Sequence, residues 1–129
     1  TSGIIQFSIV AKSDDGFNGE ILKVAFNSVG LEYSDMKIYQ RMNDDGQVAY
    51  HVASMIEPGT FPEDDYAEFS TPGIVFFMQP NEVDNKLEAF DNLVATINHL
   101  SSMLDGIEWD HNREPLTIET VQSFRDKFQ

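Results

Sequence analysis

Apolar side chains fall on both faces of the stretch from Ser70 to Gln79. Alternation along a strand sends Ile74, Phe76 and Met78 one way and Val75 and Phe77 the other. Pro80 ends this predicted strand. The doubling recurs elsewhere. In a predicted strand over 31–42, Met36 and Ile38 share one face and Tyr39 takes the other. In another over 48–56, Ala53 and Met55 share a face while Val52 and Ile56 lie opposite. Asn43-Asp44-Asp45-Gly46 between them is a hairpin-type turn, so these two strands should pair antiparallel. The first strand, over 4–11, puts Ile5, Phe7 and Ile9 on one face and Ile4, Gln6 and Ser8 on the other.

Helical spacing begins after the polar loop 12–16. Ile21, Leu22, Ala25, Phe26 and Val29 fall on one stripe, with Asn18 as N-cap and Gly30 as the stop. Pro58 to Pro62 breaks the chain, and the acidic run 63–68 reads as a solvated loop. The strongest helical period covers 84–104 through Leu87, Phe90, Leu93, Val94, Ile97, Leu100 and Leu104. Asp84 is placed to cap that helix and Gly106 to close it. A short strand over 106–110 carries Ile107 and Trp109, and 113–116 offers a further edge strand. Thr117 then caps a last helix with Ile118, Val121, Phe124 and Phe128 turned inward.

The order is strand, helix, three strands, helix, one or two strands, helix. It predicts an α+β fold built on a split β-α-β unit, with an antiparallel sheet of about six strands. The whole of 1–129 reads as a single domain, without repeat or linker. Helices pack about 10 Å apart and strands about 4.8 Å apart, so two or three helices cover one face of such a sheet. Three are expected, with their stripes on one side. The other face, carrying Ile4, Met36, Ile38, Ala53, Met55, Val75 and Phe77, is therefore expected to stay open. An exposed apolar patch of that kind marks a binding surface, and thioethers adapt well to a ligand. The alternative is that 81–83 or the loop 57–69 folds over it.

Composition narrows the chemistry. Hydrophobic residues make up 41% of the chain, a globular value. Eight Lys and Arg stand against 22 Asp and Glu, for a net charge of −14. Such a surface repels phosphate backbones and anionic lipid headgroups, so no nucleic-acid partner is expected. RNA-binding modules of split β-α-β type need basic residues beside the exposed rings, and this chain lacks that balance. The chain has no cysteine, which excludes disulfides, thiolate metal sites and cysteine catalysis. His51, His99 and His111 show no metal-ligand spacing, and Asp110-His111 are neighbours that point apart on a strand. Asp44-Asp45-Gly46 lacks the terminal Glu of a calcium loop. There is no Gly-rich phosphate loop. Neither an enzyme nor a cofactor is expected. No apolar run reaches the roughly 18 residues of a membrane span, and no signal peptide is visible. A start at Thr1 fits a piece of a longer protein.

Several signatures resemble one family. They are Asn18-Gly19-Glu20 opening the first helix, Asp35-Met36-x-Ile38-Tyr39-x-Arg41, Ala53-x-Met55-Ile56-x-Pro58-Gly59-Thr60-Phe61, and Thr71-Pro72-Gly73-x-x-x-Phe77-Met78-Gln79. Their order and spacing resemble the C-terminal domain of ZipA, the bacterial division protein that binds FtsZ, from about Ile4 through the last helix. The resemblance implies a six-stranded antiparallel sheet with three helices on one face. It also implies a shallow hydrophobic groove on the other, taking the C-terminal tail of FtsZ largely as a helix. Full-length relatives are implied to carry an N-terminal membrane anchor and a flexible linker. Such a protein would work at the cytoplasmic face of the inner membrane at the division site. Carried over by position, the groove would comprise Ile4, Gln6, Met36, Ile38, Ala53, Met55, Glu57, Val75 and Phe77. Two positions depart from the family pattern: Gln6 stands where an aliphatic residue is expected, and Glu57 where a lysine is. The expected state is a soluble monomer. The rival readings are a dimerisation module, or another peptide-binding module, using the same face.

Overall fold

The computed structural model describes residues 3–129. The alternating segments form one six-stranded antiparallel sheet. In chain order its strands are β1 (Ile5–Val10), β3 (Glu32–Tyr33), β4 (Tyr39–Met42), β5 (Val48–Ser54), β7 (Gly73–Met78) and β8 (Ile107–Trp109). Across the sheet the order is β3-β4-β5-β7-β1-β8. A two-stranded ribbon, β2 (Phe17–Asn18) with β6 (Ser70–Thr71), sits beside it. The helices are α1 (Gly19–Ser28), α2 (Lys86–Leu104) and α3 (Ile118–Asp126). The expected α+β architecture is therefore present, with the helices on one face.

Register explains the core. Phe7 pairs with Phe76, Phe76 with Val52, and Val52 with Tyr39. Directly opposed residues of antiparallel strands share a face, so this row presents a continuous apolar surface. Ile9 and Ile74 extend it. Onto it pack Leu22, Ala25 and Phe26 of α1, and Phe90, Leu93, Ile97 and Leu100 of α2. Phe124 of α3 meets Phe7 edge-on at 5.6 Å. A buried polar cluster pins α2 to the sheet: the Tyr50 hydroxyl lies 2.6 Å from Asn92 Oδ1 and 2.9 Å from Thr96 Oγ1.

Several local expectations need correction. The span 31–42 is a hairpin, because the chain reverses at Ser34–Ile38 and Lys37 adopts a positive φ of 65°. The strand expected to reach Ile56 stops at Ser54, where the chain bends toward Pro58. Asn18 caps α1 as expected, accepting from the Glu20 amide at 2.9 Å, and Thr117 caps α3. The cap of α2 is Asn85 rather than Asp84, with its side chain accepting from the Glu88 amide. Asp84 is held instead by Gln47. Ile118 is 84% exposed, so it does not face inward; Val121 and Phe124 do the packing for α3, with Phe128 just past its end. The edge strand over 113–116 reduces to one bridge between Trp109 and Pro115.

Gly106 has a different reason from the one expected. The left-handed turn that ends α2 is made by Asp105, at φ 52°. A Cβ on Gly106 would stand 2.5 Å from Ile9 Cγ2 and 3.1 Å from Phe17, so glycine is required for close approach. Gly106→Ala is expected to destabilise the domain by about 1–3 kcal/mol through overpacking. Phe76→Ala should cost about 3–5 kcal/mol as a core truncation. Urea unfolding of both variants checks this, and wild-type midpoints would contradict the packing account.

Candidate functional site

The residues opposite the core row define the open face. Gln40, His51, Phe77 and Gln6 lie in register across β4, β5, β7 and β1. The next row is Ala53, Val75, Ser8 and Trp109. No helix packs on these rows. Neither segment suspected of covering them does so. Phe61 packs edge-on against both Phe26 and Tyr39 on the core side, and the Tyr66–Glu68 turn sits beside α1, with Lys23 Nζ 4.4 Å from the Tyr66 ring. Val83 is buried in the core.

A concavity of about 450 Å³ opens on this face. Met36 and Ile38 reach it from the β3–β4 turn, Ala53 and Met55 from the end of β5, and Phe77 from β7. The loop Ile56 to Thr60 forms its far wall and brings Glu57 to the rim. Backbone hydrogen bonds set these walls. The Ser34 amide donates to the Ile38 carbonyl at 2.8 Å, and the Lys37 amide to Ser34 at 2.9 Å. The Phe61 amide donates to the Lys37 carbonyl at 2.8 Å, tying the loop to the turn. The Ser54 amide donates to the Gly59 carbonyl at 2.9 Å, closing the loop on itself. Gly73 gives Met55 its place: a Cβ there would stand 2.5 Å from the Met55 sulfur. The thioether thus lies flat against the bare backbone of β7.

Six of the nine residues expected at the site therefore line one concavity: Met36, Ile38, Ala53, Met55, Glu57 and Phe77. Val75 adjoins Ala53 in register, but at 9% exposure it is a floor residue with little surface to offer. Gln6 is exposed and directly beside Phe77. Ile4 lies apart, 56% exposed, bordering a separate hollow with Phe124 and Phe128 at the end of the sheet. Met36, at 64% exposure, is the most open of the apolar lining, and Ile56 at 43% joins it. Ile56 escaped the alternation reading because β5 ends before it and the bend returns it to the open side. The Pro58-Gly59 pair was the available signal for that bend.

His51 was also missed as part of this face, although it shares parity with Ala53 on β5. Partial burial beside Phe77 holds its imidazole below the ordinary histidine range. Among the described residues no group of three His, Asp or Glu side chains could hold a metal ion. What the face offers is apolar contact area, rigid at Phe77 and compliant at the two thioethers, with an acidic rim residue.

The sequence profile of the ZipA C-terminal FtsZ-binding domain matches residues 3–127. The chain belongs to that family. The Cell division protein ZipA of Marinobacter nauticus is 35% identical over 129 residues, covering 98% of this chain and 38% of the relative. The ZipA of Stutzerimonas stutzeri is 31% identical over 96% of this chain and 46% of its own length. That of Pseudomonas fluorescens is 32% identical over 96% and 44%. The chain thus spans less than half the length of these relatives. Six antiparallel strands with three helices on one face are what the resemblance implied, and they are present. No helix among the described residues is long and apolar enough to cross a membrane.

The depressed His51 pKa sets a testable sign. Folding disfavours the imidazolium, so this contribution to stability is fully present above the unfolded value of about 6.5 and is lost as pH falls below it. Proton NMR should give a His51 midpoint below about 6.5. His51→Gln should flatten the fall in urea midpoint on acidification through that range. A midpoint above 6.5 would contradict the burial of the ring.

Proposed function

We propose that this domain captures the C-terminal tail of FtsZ in the concavity on its open sheet face, as a single non-catalytic module over 1–129. The observation that carries the reading is an aromatic platform, Phe77, left without a covering layer and flanked by Met36, Ile38 and Met55. An amphipathic helix laid there would use apolar side chains at i, i+3 and i+4 as anchors. Phe77 supplies the contact area, since a ring brings much surface at little rotamer cost. Ala53 serves by being small, leaving room for a bulky anchor. Val75 supports the floor, Gln6 and Glu57 complete the proposed contacts along the edges, and Ile4 would be met only by peptide extending beyond the concavity.

In the longer relatives the same capture would tether the division ring to the cytoplasmic face of the inner membrane. A tail that orders on binding loses conformational entropy, so single-site affinity should be about micromolar. A polymer of FtsZ presents many tails and would raise the effective affinity by avidity. The charge of −14 opposes pairing of one copy with another, which favours a monomer over the dimerisation reading.

Phe77→Ala should weaken binding of a labelled FtsZ tail peptide by about 2 kcal/mol or more, roughly thirtyfold in Kd, with an unchanged circular dichroism spectrum. Fluorescence anisotropy measures this. A folded Phe77→Ala variant that binds as tightly as wild type would overturn the assignment. Concentration-dependent dimers in sedimentation, without tail binding, would point to the rival use of this face.

A further inference from the structure

The open face does not end at Phe77. On the side of Phe77 away from the loop Ile56 to Thr60 lies a second hollow of about 290 Å³, with Ala49 at its base. Phe77 lines both hollows, so they lie next to one another along β5. Their linings differ in chemistry. The first is mostly apolar, with Glu57 on its rim. The second is about half polar, through Gln47, His51, Gln79 and Glu82. Glu82 stands on the short turn Pro80–Glu82, fixed by its own amide donating to the Gln79 carbonyl at 2.9 Å. Asp84 is held against Gln47, adding a second carboxylate beside this end. Among the described residues lining the hollow there is no Lys or Arg.

Each hollow thus carries an acidic group, and apolar Phe77 lies between them. From Ala53 to Gln47 is six strand residues, about 20 Å. We propose that the Gln47–His51–Gln79–Glu82 hollow is a second subsite for the bound peptide, taking a Lys or Arg side chain nearly four helical turns from the part of the peptide that lies over Ala53. This rests on the groove reading above and deepens it: the preferred partner is apolar in the middle and basic at both ends. The side chains lining the hollow suit a cation. Glu82 supplies a carboxylate, Gln79 supplies an amide oxygen while Gln47 is engaged by Asp84, and the His51 imidazole, shifted toward its neutral form by partial burial, presents little competing charge.

The test is anisotropy titration of the FtsZ tail peptide into wild type, Glu82→Lys, Glu82→Gln and Phe77→Ala, at about 0.05 M and about 0.5 M salt. Glu82→Lys is expected to raise Kd about tenfold at low salt, Glu82→Gln about threefold, and both differences should shrink at high salt. Tail binding should also move the His51 ring resonances and depress its titration midpoint further, which a merely structural role would not do. Unchanged affinity in both Glu82 variants, with binding still lost in Phe77→Ala, would overturn the subsite and leave the groove reading standing. No tail binding by wild type would overturn both.

Discussion

The asymmetry of β7 governs this molecule. It is a central strand, hydrogen-bonded to β5 on one side and β1 on the other. Ile74, Phe76 and Met78 point to the helices and are fully buried. Val75 and Phe77 point away, toward a face that no helix covers. A strand apolar on both sides ordinarily needs two covering layers. This domain supplies one, so the missing layer defines where a partner must add its own apolar surface. Stability and binding are then separate properties of adjacent residues: Phe76 holds the fold and Phe77 is left for recognition.

Around that strand the loops do the shaping. The β3–β4 turn and the bend at Ile56–Thr60 are tied together through the Phe61 amide and the Lys37 carbonyl. Phe61 itself is anchored in the aromatic cluster with Phe26 and Tyr39 on the helical side. The walls of the concavity are therefore fixed by the core below them, which preorganises the site and lowers the cost of ordering it on binding. Gly73 and Met55 provide the compliant element, a flexible thioether on a bare stretch of backbone. The acidic surface sets partner choice and encounter rate more than it sets affinity.

The fold was legible because strand alternation and helical periodicity were clear, and because three helices suffice for only one face of six strands. Ala53 and Phe77 follow from strand parity, Met36, Ile38 and Met55 share the expected face although they lie in a turn or past a strand end, and the family resemblance places Glu57 beside them. What parity could not show lay at the strand ends. Met36 reaches the concavity from a turn, and Ile56 does so past the end of β5. Ile4 has the right parity but lies outside the concavity, and Val75 faces the right way yet is covered by its neighbours. His51 carries no metal-ligand spacing, and its parity with Ala53 on β5 is what places it beside Phe77. The short β2–β6 ribbon has only two residues per strand, too few for a periodic signal.

The most direct measurement is a chemical-shift map of the isotopically labelled domain on adding the FtsZ tail peptide. The account predicts shifts concentrated on Met36, Ile38, Ala53, Met55, Phe77 and His51, with α1 and α2 unmoved. Shifts centred instead on Ile21, Val24 and Met103, the exposed apolar residues between α1 and α2, would contradict it.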